Sequence, residues 1–168
     1  MSTVLMACTH PYWSHIQVGS QHLARQFAAR GYDVHYFSAP VTPLHLFRLN
    51  FPEVTKRYQQ ACKNPWCDPQ DRITTHIPFS LVAPDGMPVL RSQFICNLWP
   101  KTVVPRMRIQ LARNNLHKVD ILYIDNLSYH FLLDYVRYDT AIFRVMDVHE
   151  NVPGWRGRAQ KQIGRAHV

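Results

Sequence analysis

Strand-like and helix-like patterns alternate along the first forty residues. Residues 3–9 form a short apolar run that predicts a buried strand, and residues 33–38 predict a second strand. Between them, residues 20–30 place their apolar side chains on one helical face. Gly31 follows this segment, where a helix C-cap glycine belongs. Together these segments predict a β-α-β unit with parallel strands and a right-handed crossover.

The same alternation returns near the end of the chain. We predict strands over 120–124 and 141–146, with a short helix over 127–136 between them. The middle is less regular, and its predicted elements are helices over 53–63 and 102–116, a strand over 73–82 and an extended segment over 88–95. The whole pattern predicts an α/β fold, a Rossmann-like parallel sheet with helices on both faces.

The composition is that of one globular domain. Of the 168 residues, 46% are apolar and 18% are charged, which excludes wholesale disorder. No apolar run approaches the roughly 20 residues that span a bilayer, and the N-terminus lacks the basic flank and leucine-rich stretch of a secretory signal. The default expectation is therefore a cytoplasmic protein.

The four cysteines favour neither disulfides nor a metal site. Cys8 and Cys96 stand among apolar residues and are predicted to be buried thiols. Cys62 and Cys67 form a C-x4-C pair with no second pair behind it, whereas a zinc site usually has four ligands. We therefore predict no bound metal and no cofactor.

The last residues resemble a cloning or sequencing scar. Reverse translation of residues 163–168 can give six consecutive codons of a common short-read sequencing adapter; the alternative is a natural basic end. We expect the natural sequence to stop near Lys161 or Gln162 and to be the front of a longer protein. Residues 163–168 are then an adapter-derived tail, to be set aside when the fold is considered.

The net charge of +8 indicates an anionic partner. Nucleic acid is one class, but the chain has no helix-turn-helix, zinc-finger or RNA-binding signature. A membrane surface is the other, because apolar residues at 44, 46, 47, 49 and 51 stand beside basic ones, a mixture that suits anionic headgroups. The cations predicted for that surface are Arg48, Lys56, Arg57, Arg106 and Arg113. Core residues plus a solvated basic face are the alternative.

Ligands of open parallel sheets bind beyond the carboxyl ends of the strands. The loops expected to bind a ligand are therefore 10–19, 125–129 and 147–154. The first loop has a single glycine, at its far end, and bulky side chains that hinder a dinucleotide pyrophosphate. Its two aromatic residues and two histidines suit a sugar ring instead: His10, Tyr12, Trp13 and His15. The open alternative is that Tyr12 and Trp13 only cover the sheet edge.

Asp147 directly follows the last predicted strand. A carboxylate in that position can act as a general base when a substrate hydroxyl reaches it. His149 and Glu150 are close enough in sequence to tune it or to bind substrate. Position alone favours a different role for Asp147, capping of the following helix or turn.

Two long stretches carry a resemblance to a known family. "HPYWSH" with "HLARQFAARGYDVHYFSAP", and "DILYIDNLSYHFLLDYVRYDTAIFRVMDVHENVPGW", resemble the N-terminal domains of GT-B glycosyltransferases. They are similar in particular to the inverting glucuronosyltransferases of xanthan assembly, which share a strand, helix, strand and "YRxxD" pattern. Here Phe143 replaces the tyrosine of that pattern. Residues 41–119 add little to the resemblance.

The resemblance implies that residues 1–162 are the acceptor-binding half of a two-domain enzyme, inactive alone. Asp147 would be the general base, Ser14 and Gly19 would belong to a donor-phosphate loop, and the residues implied in acceptor binding are His10, Tyr12, Trp13, His15, Asn126, Tyr129, His149 and Glu150. The implied partners are a nucleotide-sugar donor and a glycan or lipid-linked acceptor, used in cell-surface polysaccharide synthesis at the inner face of the plasma membrane. A retaining mechanism stays open. The alternative function is a basic Rossmann-like module that binds nucleic acid or nucleotide without transfer.

Overall fold

The computed structural model describes residues 2–14, 19–48, 50–63, 65–83 and 93–144. The strands are β1 (Thr3–Ala7), β2 (Asp33–Phe37), β3 (Trp66–Cys67), β4 (Thr74–His76), β5 (Phe79–Ser80), β6 (Val103–Val104), β7 (Lys118–Ile124) and β8 (Arg137–Phe143). The helices are α1 (Gly19–Ala29), α2 (Pro52–Cys62), α3 (Gln93–Thr102), α4 (Met107–Arg113) and α5 (Leu132–Tyr135). Short 3₁₀ helices cover Pro43–Arg48 and Leu127–Tyr129.

The main sheet has six strands in the order β3-β4-β2-β1-β7-β8. Five of them are parallel, and β3 pairs with β4 antiparallel at one edge. Along the chain the sheet grows from β1 through β2 to β4, and then continues from the other side of β1 with β7 and β8. This is the strand order of a Rossmann-like half, with its topological switch point between β1 and β7. The predicted fold class is confirmed.

The core lies on both faces of this sheet. Neighbouring residues of β1 alternate between the faces, so Leu5 joins one apolar cluster and Val4 the other, and both are fully buried. Met107 of α4 packs in the cluster of Leu5, and Ala24 of α1 packs in the cluster of Val4. The helices therefore cover both faces, as the alternating pattern predicted.

The middle of the chain departs from the sequence prediction. The expected strand over 73–82 is two short strands in different sheets, β4 and β5, with Pro78 between them. Proline donates no backbone hydrogen bond, so it interrupts the ladder. The expected extended segment over 88–95 is wrong at its end, because α3 begins at Gln93; residues 84–92 lie outside the described ranges.

The predicted helix over 102–116 is wrong in its first part. Val103–Val104 form β6, which pairs with β5, and α4 begins only after Pro105. Val104 is 54% exposed. Gln110 is buried, and its side chain donates to the carbonyl oxygen of Pro105 at 2.7 Å.

The last two predicted elements are shifted rather than absent. The helix expected over 127–136 is a 3₁₀ turn followed by the four-residue α5. β8 begins at Arg137, earlier than the predicted strand, because seven successive residues pair in register with β7 or continue its ladder. Residues from 145 onward lie outside the described ranges.

The side chains of three cysteines are described, and all three are free thiols. Cys8 is buried as predicted, whereas Cys62 and Cys67 are exposed. Within the described ranges, no group of three His, Cys, Asp or Glu side chains could hold a metal ion. In those same ranges, no helix is both long and apolar enough to cross a bilayer.

Candidate functional site

The candidate site lies at the switch point of the sheet, where β1 and β7 end side by side. The backbone NH of Asp125, the first residue after β7, donates to the carbonyl oxygen of Ala7 at 3.0 Å. Ala24 of α1, which follows β1, packs on one face of the sheet, and Leu132 of α5, which follows β7, packs on the other. The two connections therefore leave the sheet in opposite directions, and we call the region between them the crevice. In open α/β sheets this is the place where ligands bind.

The carboxylate of Asp125 is the centre of a polar network in this crevice. It accepts a hydrogen bond from the backbone NH of Thr9 at 3.0 Å and another from the hydroxyl of Ser20 in the first turn of α1. Arg144 Nη1 lies 3.5 Å from the same Ser20 hydroxyl oxygen. The network therefore joins the ends of β1, β7 and β8 to the start of α1.

Arg144 is held in this network by its backbone and by its side chain. Its NH donates to the carbonyl oxygen of Ile124 at 2.9 Å, which extends the β8 pairing by one residue. Its guanidinium lies against the backbone of Gly19, where a Cβ atom would come within 2.5 Å of Nη1. The glycine expected in a donor-phosphate loop thus makes room for an arginine side chain of the same chain.

Burial controls the protonation of the network. Burial raises the pKa of Asp125, and hydrogen bonds from Ser20, Thr9 and Cys8 oppose that rise, as does the charge of Arg144. Burial also raises the pKa of the Cys8 thiol, and the nearby Asp125 adds to the rise. Cys8 is therefore a neutral thiol that contacts the carboxylate, not a nucleophile.

Tyr12 is a core residue, whereas the resemblance implies a role for it in acceptor binding. Its side chain is 3% exposed and packs edge-on against Tyr36, with ring centroids 5.5 Å apart. Its hydroxyl donates to Asp71 and accepts from Arg25 Nε at 3.1 Å, and burial raises its pKa. Of the two open interpretations, the structure favours the one in which Tyr12 covers the sheet edge, because its hydroxyl already donates one hydrogen bond and accepts another.

The other described residues of the first loop remain near the crevice. Trp13 is partly buried, and the ammonium of Lys56 lies 4.4 Å from the centroid of its ring. His10 is partly buried, and its carbonyl oxygen accepts from the hydroxyl of Tyr36 at 3.1 Å. The backbone NH of Ser14 donates to the carbonyl oxygen of Pro11 at 3.0 Å, closing a turn.

The second loop is arranged by local hydrogen bonds. The side-chain oxygen of Asn126 accepts from the backbone NH of Ser128 at 3.0 Å and from its hydroxyl at 2.7 Å, so Asn126 caps the 3₁₀ turn. Tyr129 is fully buried, and its hydroxyl donates to the carbonyl oxygen of Ser38 at 2.6 Å. Tyr129 therefore belongs to the core.

Several predicted site residues lie outside the described part of the chain: His15, Asp147, His149 and Glu150. The side chain of Arg48 is outside it as well. Among the other predicted surface cations, Lys56, Arg106 and Arg113 are exposed. Arg57 is only partly exposed, because its guanidinium donates to the carbonyl oxygen of Ala39, so it is the least suited of the set to contact a membrane.

Asp125, Ser20 and Arg144 were not singled out from the sequence as site residues. Asp125 directly follows a buried strand, which is the signal that nominated Asp147, and it could have been found in the same way. Arg144 is the arginine of the YRxxD pattern, but the sequence does not show that it lies near Ser20, because their proximity depends on the pairing of distant strands. The separations along the chain are 105 residues between Ser20 and Asp125 and 124 between Ser20 and Arg144.

Comparison with known protein families gives one match, over residues 6–149, to the family described as "Glucuronosyltransferase GumK, N-terminal domain". Searches of curated proteins and of solved structures returned no match. The matched segment is well over half of the chain, and it includes both strand ends that form the crevice. The chain therefore belongs to the GumK N-terminal domain family of glycosyltransferases.

Proposed function

We propose that this chain is the acceptor-side domain of a GT-B glycosyltransferase, which transfers a sugar from a nucleotide-sugar to a lipid-linked glycan in cell-surface polysaccharide synthesis. The observation that carries the proposal is the family match over residues 6–149, which reaches through Asp147. The polar crevice at the switch point supports it, since that is where an open α/β sheet receives a ligand. The donor would be held mainly by a second domain, and no metal or cofactor is required of this one.

In the proposed mechanism Asp147 is the general base. Its carboxylate takes the proton of the acceptor hydroxyl while that oxygen attacks the anomeric carbon, the bond to the nucleoside diphosphate breaks, and the configuration inverts. Arg144, three residues earlier, is held by Ile124 and Gly19, so the segment that carries Asp147 leaves the sheet from a fixed point. The leaving diphosphate would be stabilised by basic groups and a helix N-terminus of the donor domain.

The acceptor would lie along the crevice and its two flanking loops. The residues proposed to contact it are His10, Trp13, His15, Asn126, His149 and Glu150. Trp13 offers a ring face of the kind on which sugars stack, and in the free protein that ring is paired with the Lys56 ammonium. Tyr12 and Tyr129 are left out of this set because their hydroxyls are already used within the core.

Replacement of Asp147 by asparagine tests the mechanism. In the protein joined to its donor domain, Asp147→Asn should lower turnover by about 10²- to 10⁴-fold, the usual contribution of a general base, while donor binding and Tm stay unchanged. Asp139→Asn, at an exposed position of β8, is the matched control and should leave turnover unchanged. A fall in Tm with a proportionate fall in activity would indicate a capping role. Near-normal turnover would eliminate the base and favour a retaining mechanism.

We further propose that this domain docks on the inner face of the plasma membrane, where a lipid-linked acceptor would be available. The 3₁₀ segment and the start of α2 expose three large apolar side chains: Leu44 and Leu46 at 47% each and Phe51 at 62%. Lys56 is exposed one turn further along α2. Apolar side chains flanked by cations suit an anionic headgroup layer.

Nucleic-acid binding without sugar transfer is the rival function, and it rests on the net charge of +8 alone. The family match favours the transferase over this rival. Competition between DNA and anionic vesicles for the protein distinguishes them directly, because a phosphate backbone without an apolar layer gains nothing from Leu46 or Phe51.

A further inference from the structure

A basic pocket lies on the helical layer, away from the polar network of the crevice. It is formed by the end of α3, the start of α4 and the end of α5, and its volume is about 320 Å³. Its lining contains three cations and one aromatic ring on an apolar base: Lys101, Arg106, Arg108, Tyr135, Pro100 and Met107. None of these residues takes part in the hydrogen bonds around Asp125.

The base and one wall of this pocket are fixed by packing. Met107, the first residue of α4, is fully buried in the core. Pro100 of α3, which also lines the pocket, is buried as well. The guanidinium carbon of Arg108 lies 4.4 Å from the centroid of the Tyr135 ring. That ring packs edge-on against Phe131 at 5.2 Å, so the cation rests on a supported surface. Arg108 is therefore pre-organised, and less side-chain entropy is lost when it binds a ligand.

The positive charge of the pocket is not neutralised by the described residues. The two ion pairs found among them are Arg25 with Asp71 and His35 with Asp33, and neither involves the pocket. Three like charges around one concavity repel each other, and an anion placed between them relieves that repulsion. The pocket is therefore electrostatically suited to an anion.

We propose that this pocket binds a phosphate group, carried either by a soluble phosphate ester or by a phospholipid headgroup. A phosphate monoester carries a charge of about −1.5 to −2 at pH 7, which matches three cations better than the single charge of a carboxylate. Its three terminal oxygens are acceptors for the planar forks of Arg106 and Arg108 and for the ammonium of Lys101, and all three cations line the pocket. The proposal depends neither on sugar transfer nor on the apolar segment at residues 44–51.

The first test uses the 168-residue chain and inorganic phosphate as the probe. Titration calorimetry or chemical-shift titration should show saturable binding of phosphate and weaker binding of acetate. The double variant Lys101→Gln/Arg106→Gln should lower the phosphate affinity by about tenfold or more, since it removes two charge-assisted contacts. The matched control is Lys118→Gln/Arg137→Gln, which removes two exposed cations that pair across β7 and β8 outside the pocket.

The second test identifies the source of the phosphate. Sedimentation with vesicles that contain phosphatidic acid, whose headgroup is a phosphate monoester, and with phosphatidylcholine vesicles is compared for the same two variants. Saturable binding of free phosphate that only the pocket variant loses supports a soluble ester. Vesicle binding that only the pocket variant loses, without binding of free phosphate, supports a headgroup. Equal losses in the pocket and control variants, or no binding in either test, would overturn the proposal, because diffuse charge alone would then explain the attraction.

Discussion

A pair of buried histidines sets the behaviour of the protein in acid. His35 Nδ1 and His76 Nε2 lie 3.0 Å apart between β2 and β4, and the ring of His76 stacks on Phe37 with centroids 4.3 Å apart. Burial, followed by the nearby His35, lowers the pKa of His76 from its usual 6.5 to about 3. Burial also lowers the pKa of His35, although Asp33 partly offsets this. Both rings are therefore neutral in the folded protein at pH 7.

We predict that the free energy of unfolding falls as the pH is lowered from about 6.5 towards about 3. In that pH range the unfolded chain binds a proton on His76 and the folded protein does not. The free energy of unfolding therefore falls by up to about 1.4 kcal/mol per pH unit. Urea midpoints between pH 7 and 4.5 measure the slope, which should be shallower in His76→Gln. The exposed His22→Gln is the control and should keep the slope of the unchanged chain. Identical slopes in all three proteins would contradict the assignment.

At the residue scale, the sequence indicates which loops follow the strands but not which of their aromatic side chains complete the core. Aromatic residues in a loop beyond a strand can contact ligand or complete the core, and the sequence pattern is the same for both. Tyr12 and Tyr129 complete the core because Asp71 and Ser38, which are distant in sequence, lie next to their hydroxyls. Such pairings follow from strand order, which a local pattern does not contain.

Glycine stands at both ends of α1 for different reasons, so substitution of Gly19 and of Gly31 by alanine is expected to affect stability differently. Gly31 has φ +83°, a left-handed conformation that an alanine adopts at a cost of about 1–2 kcal/mol. Gly19 is helical but leaves room for the guanidinium of Arg144. An added Cβ there would displace a flexible side-chain end and would also favour the helix by up to about 1 kcal/mol.

We therefore predict that Gly31→Ala lowers Tm and leaves turnover per folded molecule unchanged, whereas Gly19→Ala changes Tm little and lowers turnover. The second effect rests on the proposed role of Asp147, because Arg144 acts as a positioning residue for the segment that carries it. Thermal unfolding of this chain and turnover of the two-domain enzyme measure the two effects. Full turnover in Gly19→Ala would remove Arg144 from that role.

At the element scale, helices and strands that depend on neighbouring residues are predicted more accurately than those that depend on pairing with a distant part of the chain. α1, β1, β2 and β7 were predicted within about two residues, because each depends on a local period of apolar side chains and, for α1, on Gly31. Ser80 of β5 pairs with Val103 of β6, with residues 81–102 between them, and that pairing converts the expected start of a long helix into a strand. Pro78 and Pro105 marked these breaks in the sequence, but their meaning depended on the distant partner.

On the scale of the whole molecule, the structure shows three separate surfaces, which the net charge alone does not distinguish. The polar crevice lies at the strand ends around Asp125, and the basic pocket around Arg108 lies on the helical layer. The exposed apolar residues from Leu44 to Phe51 form a third surface, between β2 and α2 along the chain. A protein whose charge served only nucleic acid would gain nothing from the third surface, so its role can be tested separately.

We predict that the third surface binds anionic membrane and that its apolar side chains are required. The double variant Leu46→Ser/Phe51→Ser should lower the affinity for phosphatidylglycerol vesicles by about tenfold or more, because burial of two large apolar side chains in the headgroup boundary is lost. The control Leu81→Ser/Phe94→Ser removes apolar side chains that are 56% and 70% exposed elsewhere, and it should bind as the unchanged chain does. Binding of the unchanged chain should weaken as salt rises, since the flanking cations are screened over roughly 8 Å at physiological ionic strength.

Three results would contradict the docking surface: equal binding to neutral vesicles, equal losses in the two variants, or a preference for DNA over lipid. A preference for DNA would also favour the nucleic-acid function.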